Sequence, residues 1–485
     1  MIKSDLLGTL NFGPVDSESE TNLDKIFIQT RNFNEFLIPN TALLLGSKGA
    51  GKSALFRLFT RYEDSARQMS NGRLDNTFIV SGSGFKDVPE MDDHQLLNSI
   101  ENRTISAEAA WKIYITYKLL YQLYQNNHIC CGTKSKRILQ KAGLIRDFRI
   151  LSFLGKLADM CIGDTPKINQ IDFQNISIKL SDHRHVSIND LLNEINTYLG
   201  QNGKTVWFLL DKIDELFPHN VTARKQCIEA LFVAYFDIVN RFSNIKLKIF
   251  LRTDIWNTLS FVNKSHLVDK TTVITWEEET LKQLLLKRAV YSTDVNNYLC
   301  SSLLISSWDE NVDGCFNLLF PVRVYSGAKE ARTLPWIIER CKDGLGGVYP
   351  REIITFANSA TKYEASIGEG LDVEPTTSKP LISGNSIREA YPEVSEIKVT
   401  SYLSEFTLLT EHFHRFSGQT TADFSQKEFH ELMAGLKPEG DDMIHQMHDT
   451  GVIGYSTGQT LTKESAIFVP RLFRHGLGIV VKGRP

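Results

Sequence analysis

The run Ala42-Leu-Leu-Leu-Gly-Ser-Lys-Gly-Ala-Gly-Lys-Ser-Ala-Leu-Phe56 constrains this chain more than any other stretch. It satisfies the spacing G-x-x-x-x-G-K-[ST], with Gly46, Gly51, Lys52 and Ser53 on the required positions. Four apolar residues before the first glycine read as a buried strand, and Lys52 to Thr60 reads as an amphipathic helix. Strand, glycine-rich turn and helix together make a phosphate cradle. The glycines allow backbone N–H groups to close around an anion, and the helix adds its positive end. The expected binding stretch is Gly46, Ser47, Lys48, Gly49, Ala50, Gly51, Lys52, Ser53 and Ala54. Lys52 is expected to meet the β- and γ-phosphates, and the Ser53 hydroxyl to ligate Mg²⁺.

A phosphate cradle needs an acidic strand end to hold the metal. Val206-Trp-Phe-Leu-Leu210 supplies the strand, and Asp211-Lys-Ile-Asp-Glu215 follows at once. A helix opening at Ser187 and closing at Gly200 precedes it. Asp211 is expected to face Ser53 across one Mg²⁺, mainly through coordinated water. Glu215 is the candidate to orient or deprotonate the attacking water, with Asp214 supporting the metal shell. A third strand, Leu247-Lys-Ile-Phe-Leu251, ends in Arg252-Thr-Asp254. Polar residues at the tip of a strand lying between the other two are placed to sense a γ-phosphate, so Arg252 or Thr253 is a candidate sensor; a merely solvated strand end is the alternative. The nearest approach to a guanine-reading motif, Asn263-Lys-Ser-His266, lacks the aspartate, so the expected nucleotide is ATP.

Length and composition set the frame around this site. At 485 residues the chain exceeds one ordinary core, and two to four domains are expected. Its 42% hydrophobic and 23% charged content is that of a soluble globular protein. The start, MIKSDLLGTLNFG, lacks a signal-peptide apolar run, and no segment approaches eighteen uninterrupted apolar residues. A cytoplasmic protein with no membrane partner is the expectation. Seven scattered cysteines without a C-x-x-C pair suggest neither a disulfide framework nor a zinc cluster. A net charge of −3 gives no bulk pull toward nucleic acid.

With these motifs in view, the chain resembles AAA+/STAND-type ATPases, and in particular a bacterial family of P-loop ATPases often encoded in phage-defence loci. Phe12-Gly13 and Asp16-Ser-Glu-Ser-Glu20 resemble that family's N-terminal signature, and Gly46 to Phe56 its loop. Leu209 to Glu215 is similar to its acidic strand, and Phe250 to Asp254 to its sensor strand. Thr275-Trp-Glu-Glu-Glu-Thr-Leu281, running to Lys287-Arg288, resembles the start of its helical lid. Gly347-Val-Tyr-Pro-Arg351 resembles the lid motif whose arginine acts as a second sensor. The resemblance implies an α/β P-loop core with a parallel sheet, an α-helical lid and a C-terminal winged helix. It also implies self-association, a protein effector or co-encoded subunit, and a setting in antiviral defence. A proline-opened helix from Arg351 to Thr361 would let Arg351 reach a γ-phosphate, a salt bridge at a domain boundary being the alternative. Two departures stand out. The interval Asp254 to Thr275 holds Lys264 and Lys270 but no arginine to serve as a finger in a ring. Lys212 occupies the place where NACHT-type switches carry a small residue.

The remaining chain reads as follows. Ser106 to Gln125 is a long amphipathic helix leading into the basic stretch Lys134 to Arg149, which is a solvated face or a contact for phosphates or an acidic partner. Glu364 to Pro392 reads as a linker. Beyond it, helices from about Leu403 to Phe416, from Ser425 and from Asp442 to Thr450, then strands flanking Ser456 to Gln459 and at Ala466 to Val469, describe a winged helix. The third helix carries Asp441, Asp442 and Asp449 but no Lys or Arg, so protein docking is favoured over DNA. His412/His414 and His445/His448 are expected at the surface rather than on a metal. The expected division is a core at 1–275 with an insertion at about 106–150, a lid at 276–363, a linker at 364–398 and a winged helix at 399–485. The favoured reading is a Mg²⁺-dependent ATPase switch acting on assembly or an effector. A DNA-binding initiator or loader, and a low-turnover ATP-binding scaffold, are the alternatives.

Overall fold

A computed structural model describes residues 2–85, 106–125, 177–179, 185–217, 220–327, 329–367, 372–376, 378–458, 460–462 and 465–480. The basic stretch 134–149 lies outside the described residues. The chain divides into two compact units, one of Arg31–Gly46 with Lys52–Ile274, the other of Met1–Thr30, Ser47–Gly51 and Thr275–Pro485.

The first of these is built on strands β1 (Leu43–Gly46), β2 (Thr77–Gly82), β5 (Thr205–Leu210), β6 (Ile245–Arg252) and β7 (Thr271–Val273), which form one parallel sheet in the order β2-β5-β6-β1-β7. A short antiparallel hairpin, β3 (Ser177–Lys179) and β4 (His185–Ser187), stands apart from it. β1 and β5 read as unbroken apolar runs because a central parallel strand is covered on both faces. One face carries Phe36, Phe59, Trp207 and Phe250, packed ring to ring, with the buried Lys248 nitrogen over the rings of Phe36 and Trp207. The Lys248 ammonium donates to the carbonyls of Phe36 (2.7 Å), Ile38 and Thr41 (both 2.9 Å), and so fixes the chain just before β1. On the other face lie helices Ala107–Gln125, Ile188–Gln201 and Val221–Arg241. The strand carrying Arg252 stands between the loop strand and the acidic strand, with Gly46 in register with Arg252. The three strand ends that carry the motifs therefore share one edge of the sheet, as an α/β P-loop fold requires.

The other unit is helical and closes on a small antiparallel sheet. Helices Glu278–Ala289, Thr293–Leu303, Val312–Leu319, Thr333–Cys341 and Pro350–Ile367 make the lid, and the N-terminal segment is strapped to it. Arg288 Nη1 donates to the Phe12 carbonyl (2.6 Å) and to Glu20 Oε2 (3.2 Å), while Asn358 Nδ2 donates to the Gly13 carbonyl (3.0 Å). The stretch read as a linker carries the 22-residue helix Gly384–Glu405, with Pro392 inside it. Ser383 caps it, accepting from Ser386 N, and packing against Pro350–Ile367 holds it. A buried ion pair, Lys398 Nζ to Glu352 Oε1 (2.6 Å), joins the two helices. Tertiary burial thus overrides the proline and polar residues that suggested a break. The same helix absorbs Leu403, so the single helix expected over 403–416 is instead its end followed by Thr410–His414.

Strands β8 (Asp423–Phe424), β9 (Gly454–Tyr455) and β10 (Ile467–Phe468) pair in the order β8-β10-β9 around helices Gln426–Leu432 and Gly440–Asp449, a winged helix. The strand expected directly after the Ser456 turn is not formed among the described residues there, and the wing closes on β10 instead. His414 and His445 are exposed, but His412 and His448 are buried, against the surface expectation. His448 stacks on Tyr455 with ring centroids 4.0 Å apart, and burial lowers its pKa to about 4. No helix among the described residues is long and apolar enough to cross a membrane.

Candidate nucleotide site

In the sheet unit, β1 stops at Gly46 and helix Lys52–Arg61 begins with the lysine itself. Between them Gly49 and Gly51 adopt φ of +88° and +103°, the left-handed region that side chains resist. The Lys52 ammonium donates to the Gly46 carbonyl (2.8 Å). Burial lowers its pKa, while the charges of Asp214 and Asp211 draw it back up. Asp211 follows β5 and is only 3% exposed. Burial raises its carboxyl to about 6, against hydrogen bonds from the Lys212 backbone and the Ser53 hydroxyl. Its second oxygen, Oδ2, is buried without a hydrogen-bond partner.

Asp214 and Glu215 lie on the single 3₁₀ turn Ile213–Glu215, entered through Lys212 at φ +60°. Asp214 is half-buried and Glu215 exposed. Arg252 is held in a two-point fork by its neighbour, Nε to Asp254 Oδ1 (3.0 Å) and Nη2 to Oδ2 (2.7 Å). Lys52, Ser53, Asp211, Asp214 and Arg252 thus form one electrostatic group, and Asp254 belongs to it. Asp254 was passed over in the sequence although it stands two residues from the candidate sensor. Lys264 donates to the Trp256 and Leu259 carbonyls (both 2.8 Å), so its ammonium serves its own turn.

In the lid unit, the loop tip Ser47–Gly51 is held by five side chains. Trp276 Nε1 donates to the Ala50 carbonyl (2.9 Å), and the Tyr349 hydroxyl donates to Ser47 Oγ (2.8 Å). Arg351 packs on Gly49, where an added Cβ would stand 2.9 Å from the Arg351 Cβ. Lys48 pairs with Glu405 and reaches Ser401 Oγ (3.3 Å). No carboxylate pairs with Arg351 among the described residues. Trp276 and Tyr349 lie inside motifs visible in the sequence; Glu405 carried no signal at all.

The donor set fits Mg²⁺. One hydroxyl and one carboxylate with a spare oxygen match the sparse protein coordination this ion favours, with phosphate oxygens and water as its usual remaining ligands. Ser53 and Asp211 would hold it, and the orphaned Asp211 Oδ2 is the atom that gains most from a cation. Among the described residues no group of three or more His, Cys, Asp or Glu side chains is placed to hold a metal.

No family model and no curated protein matches the chain. Among solved structures, the chain is similar to the ORC2 protein of Aeropyrum pernix in ADPNP–ADP complexes at 10% identity, covering 95% of this chain and 91% of that one with a TM-score of 0.37. Cdc6p from Pyrobaculum aerophilum aligns at 13% identity over 96% and 95% of the two chains, TM-score 0.30. Drosophila ORC bound to DNA aligns at 9% identity over 97% and 90%, TM-score 0.32.

Proposed function

We propose that the chain is a Mg²⁺-dependent ATP-binding and hydrolysing switch whose nucleotide state controls self-assembly or a protein effector. The observation that carries this reading is the buried Asp211 carboxylate beside Ser53, with one oxygen unsatisfied at the sheet edge where Lys52 stands. Leaving a carboxylate buried and half-satisfied costs stability, which favours a site that completes itself with a cation. Mg²⁺, when bound, neutralises charge on the phosphates. Lys52 holds the terminal phosphates, and Glu215 orients or deprotonates water. Arg252 reports the γ-phosphate after exchanging its Asp254 partner, and Arg351, packed on Gly49 of the loop, is the second sensor candidate. The position of Arg351 against Gly49, with no carboxylate partner among the described residues, supports a sensor over a salt bridge.

For the partner, the exposed residues of helix Gly440–Asp449 favour protein over DNA. Asp441, Asp442, His445 and Gln446 face solvent, a surface that repels a polyanion and suits a protein with a basic face. The antiphage setting rests on the sequence resemblance alone. Phosphate release from Mg²⁺-ATP, compared between the native chain and Glu215→Gln, tests the enzyme reading. Turnover in the native chain that falls in the variant supports it; equal rates remove Glu215 as base, and no turnover leaves the ATP-binding scaffold.

A further inference from the structure

We infer that Tyr349 positions the phosphate loop and passes the state of that loop to the winged helix through the turn Asp343 to Gly347. This rests on the nucleotide reading above. The route is short and has few soft links. At one end the Tyr349 hydroxyl donates to Ser47 Oγ. The buried phenol lies directly against the backbone of Gly347, where an added Cβ would stand 2.0 Å from its oxygen. Gly347 closes a tight turn. Asp343 N donates to the Gly347 carbonyl (2.9 Å), and Asp343 Oδ1 accepts from Leu345 N (3.0 Å) and Gly347 N (2.8 Å).

The far side of that turn meets the winged helix backbone to backbone. Gly344 N donates to the Gly451 carbonyl (2.6 Å), and a Cβ on Gly344 would fall 1.9 Å from the Ile453 carbonyl oxygen. A Cβ on Gly454 would in turn lie 2.7 Å from the Gly344 carbonyl oxygen. Gly451 follows the third helix of the winged domain, and Tyr402 donates to the Thr450 carbonyl there (3.0 Å). A second strap, Lys48 to Glu405, ties the loop to the end of the helix that leads into the winged domain. A loop that reorganises around a polyphosphate must move Ser47, and close packing leaves the turn little freedom to absorb that movement locally. The loop supplies two states, empty and filled, and the winged helix reads them.

Hydrogen exchange along the full chain, with and without Mg²⁺-ATP, tests this. In the native chain ATP should slow exchange at 46–53 and change it at 343–347 and 450–455. Tyr349→Phe keeps the ring and removes the hydroxyl. It should weaken ATP binding about three- to tenfold, retain loop protection at saturation, and lose the remote response. Gly344→Ala, which forces the turn off the wing, should lose the same remote response while the loop still protects. Loop protection without any remote change in the native chain overturns the inference, as does a remote change that persists in Tyr349→Phe. Uniformly faster exchange in Tyr349→Phe would mark a structural residue and also overturn it. Absence of loop protection in the native chain would overturn the nucleotide reading itself, and this inference with it.

Discussion

Replacing Asp211 with Asn should stabilise the empty protein while removing the part of its response to ATP that depends on Mg²⁺. The side chain keeps its shape and loses its charge. In the folded chain burial raises the carboxyl from 3.8 to about 6. A raised folded pKa favours folding below the unfolded value, and that advantage is lost as pH rises through the folded one. At pH 7.5 the native chain therefore carries a cost of about 3 kcal/mol, from roughly two pKa units at about 1.4 kcal/mol each. Asn carries none of it. For a unit of this size the variant should unfold several degrees higher in EDTA at pH 7.5. The gain should shrink as pH falls from 6 towards 4, where the native carboxyl is protonated. Thermal unfolding across that range, with EDTA and with saturating Mg²⁺-ATP, is the assay. A variant less stable than the native chain in EDTA at pH 7.5 would refute the burial argument. Equal stabilisation of both proteins by Mg²⁺-ATP would refute Asp211 as a metal ligand.

Lys52→Ala should weaken ATP binding by about 100-fold, and Glu215→Gln should leave it within about threefold while slowing turnover by roughly 10² to 10⁴, read by titration and phosphate release. Duplex DNA should bind no tighter than about 10⁻⁶ M near physiological salt; a steep salt dependence that Lys134, Lys136 and Arg137 charge reversal flattens would favour the loader instead. Deleting 399–485 should lower the unfolding midpoint of the lid, because lid and winged helix share one continuous apolar core; an unchanged midpoint would refute that shared core. Size measurement in ADP, ATP and a non-hydrolysable analogue should give different assembly states, and identical profiles would count against the switch.

Much of the sheet unit was legible because its signals are local. The apolar strand before Gly46, the helix opening at Lys52 and the acidic end of β5 each sit within a dozen residues, and periodicity reports them. The order β5-β6-β1 followed from the expectation that the sensor strand lies between the other two. The failures were cases where distant burial decided the outcome. Helix Gly384–Glu405 runs through Pro392 because Tyr391, Val394 and Val399 join the lid core and Lys398 finds Glu352. β8 waits more than forty residues for β10, so two residues of strand left no readable run. The restraints on the loop tip, Tyr349 to Ser47 and Lys48 to Glu405, join residues more than 300 positions apart. A single sequence carries no mark of such pairs.

Equilibrium titration of Mg²⁺-ATP into the native chain, Lys52→Ala and Asp211→Asn goes most directly to the claim that Lys52, Ser53 and Asp211 form one nucleotide site. Saturable binding of one ATP per native chain, strongly weakened in Lys52→Ala and made independent of Mg²⁺ in Asp211→Asn, is the predicted result. Native-like binding by both variants, or none by the native chain, would contradict it.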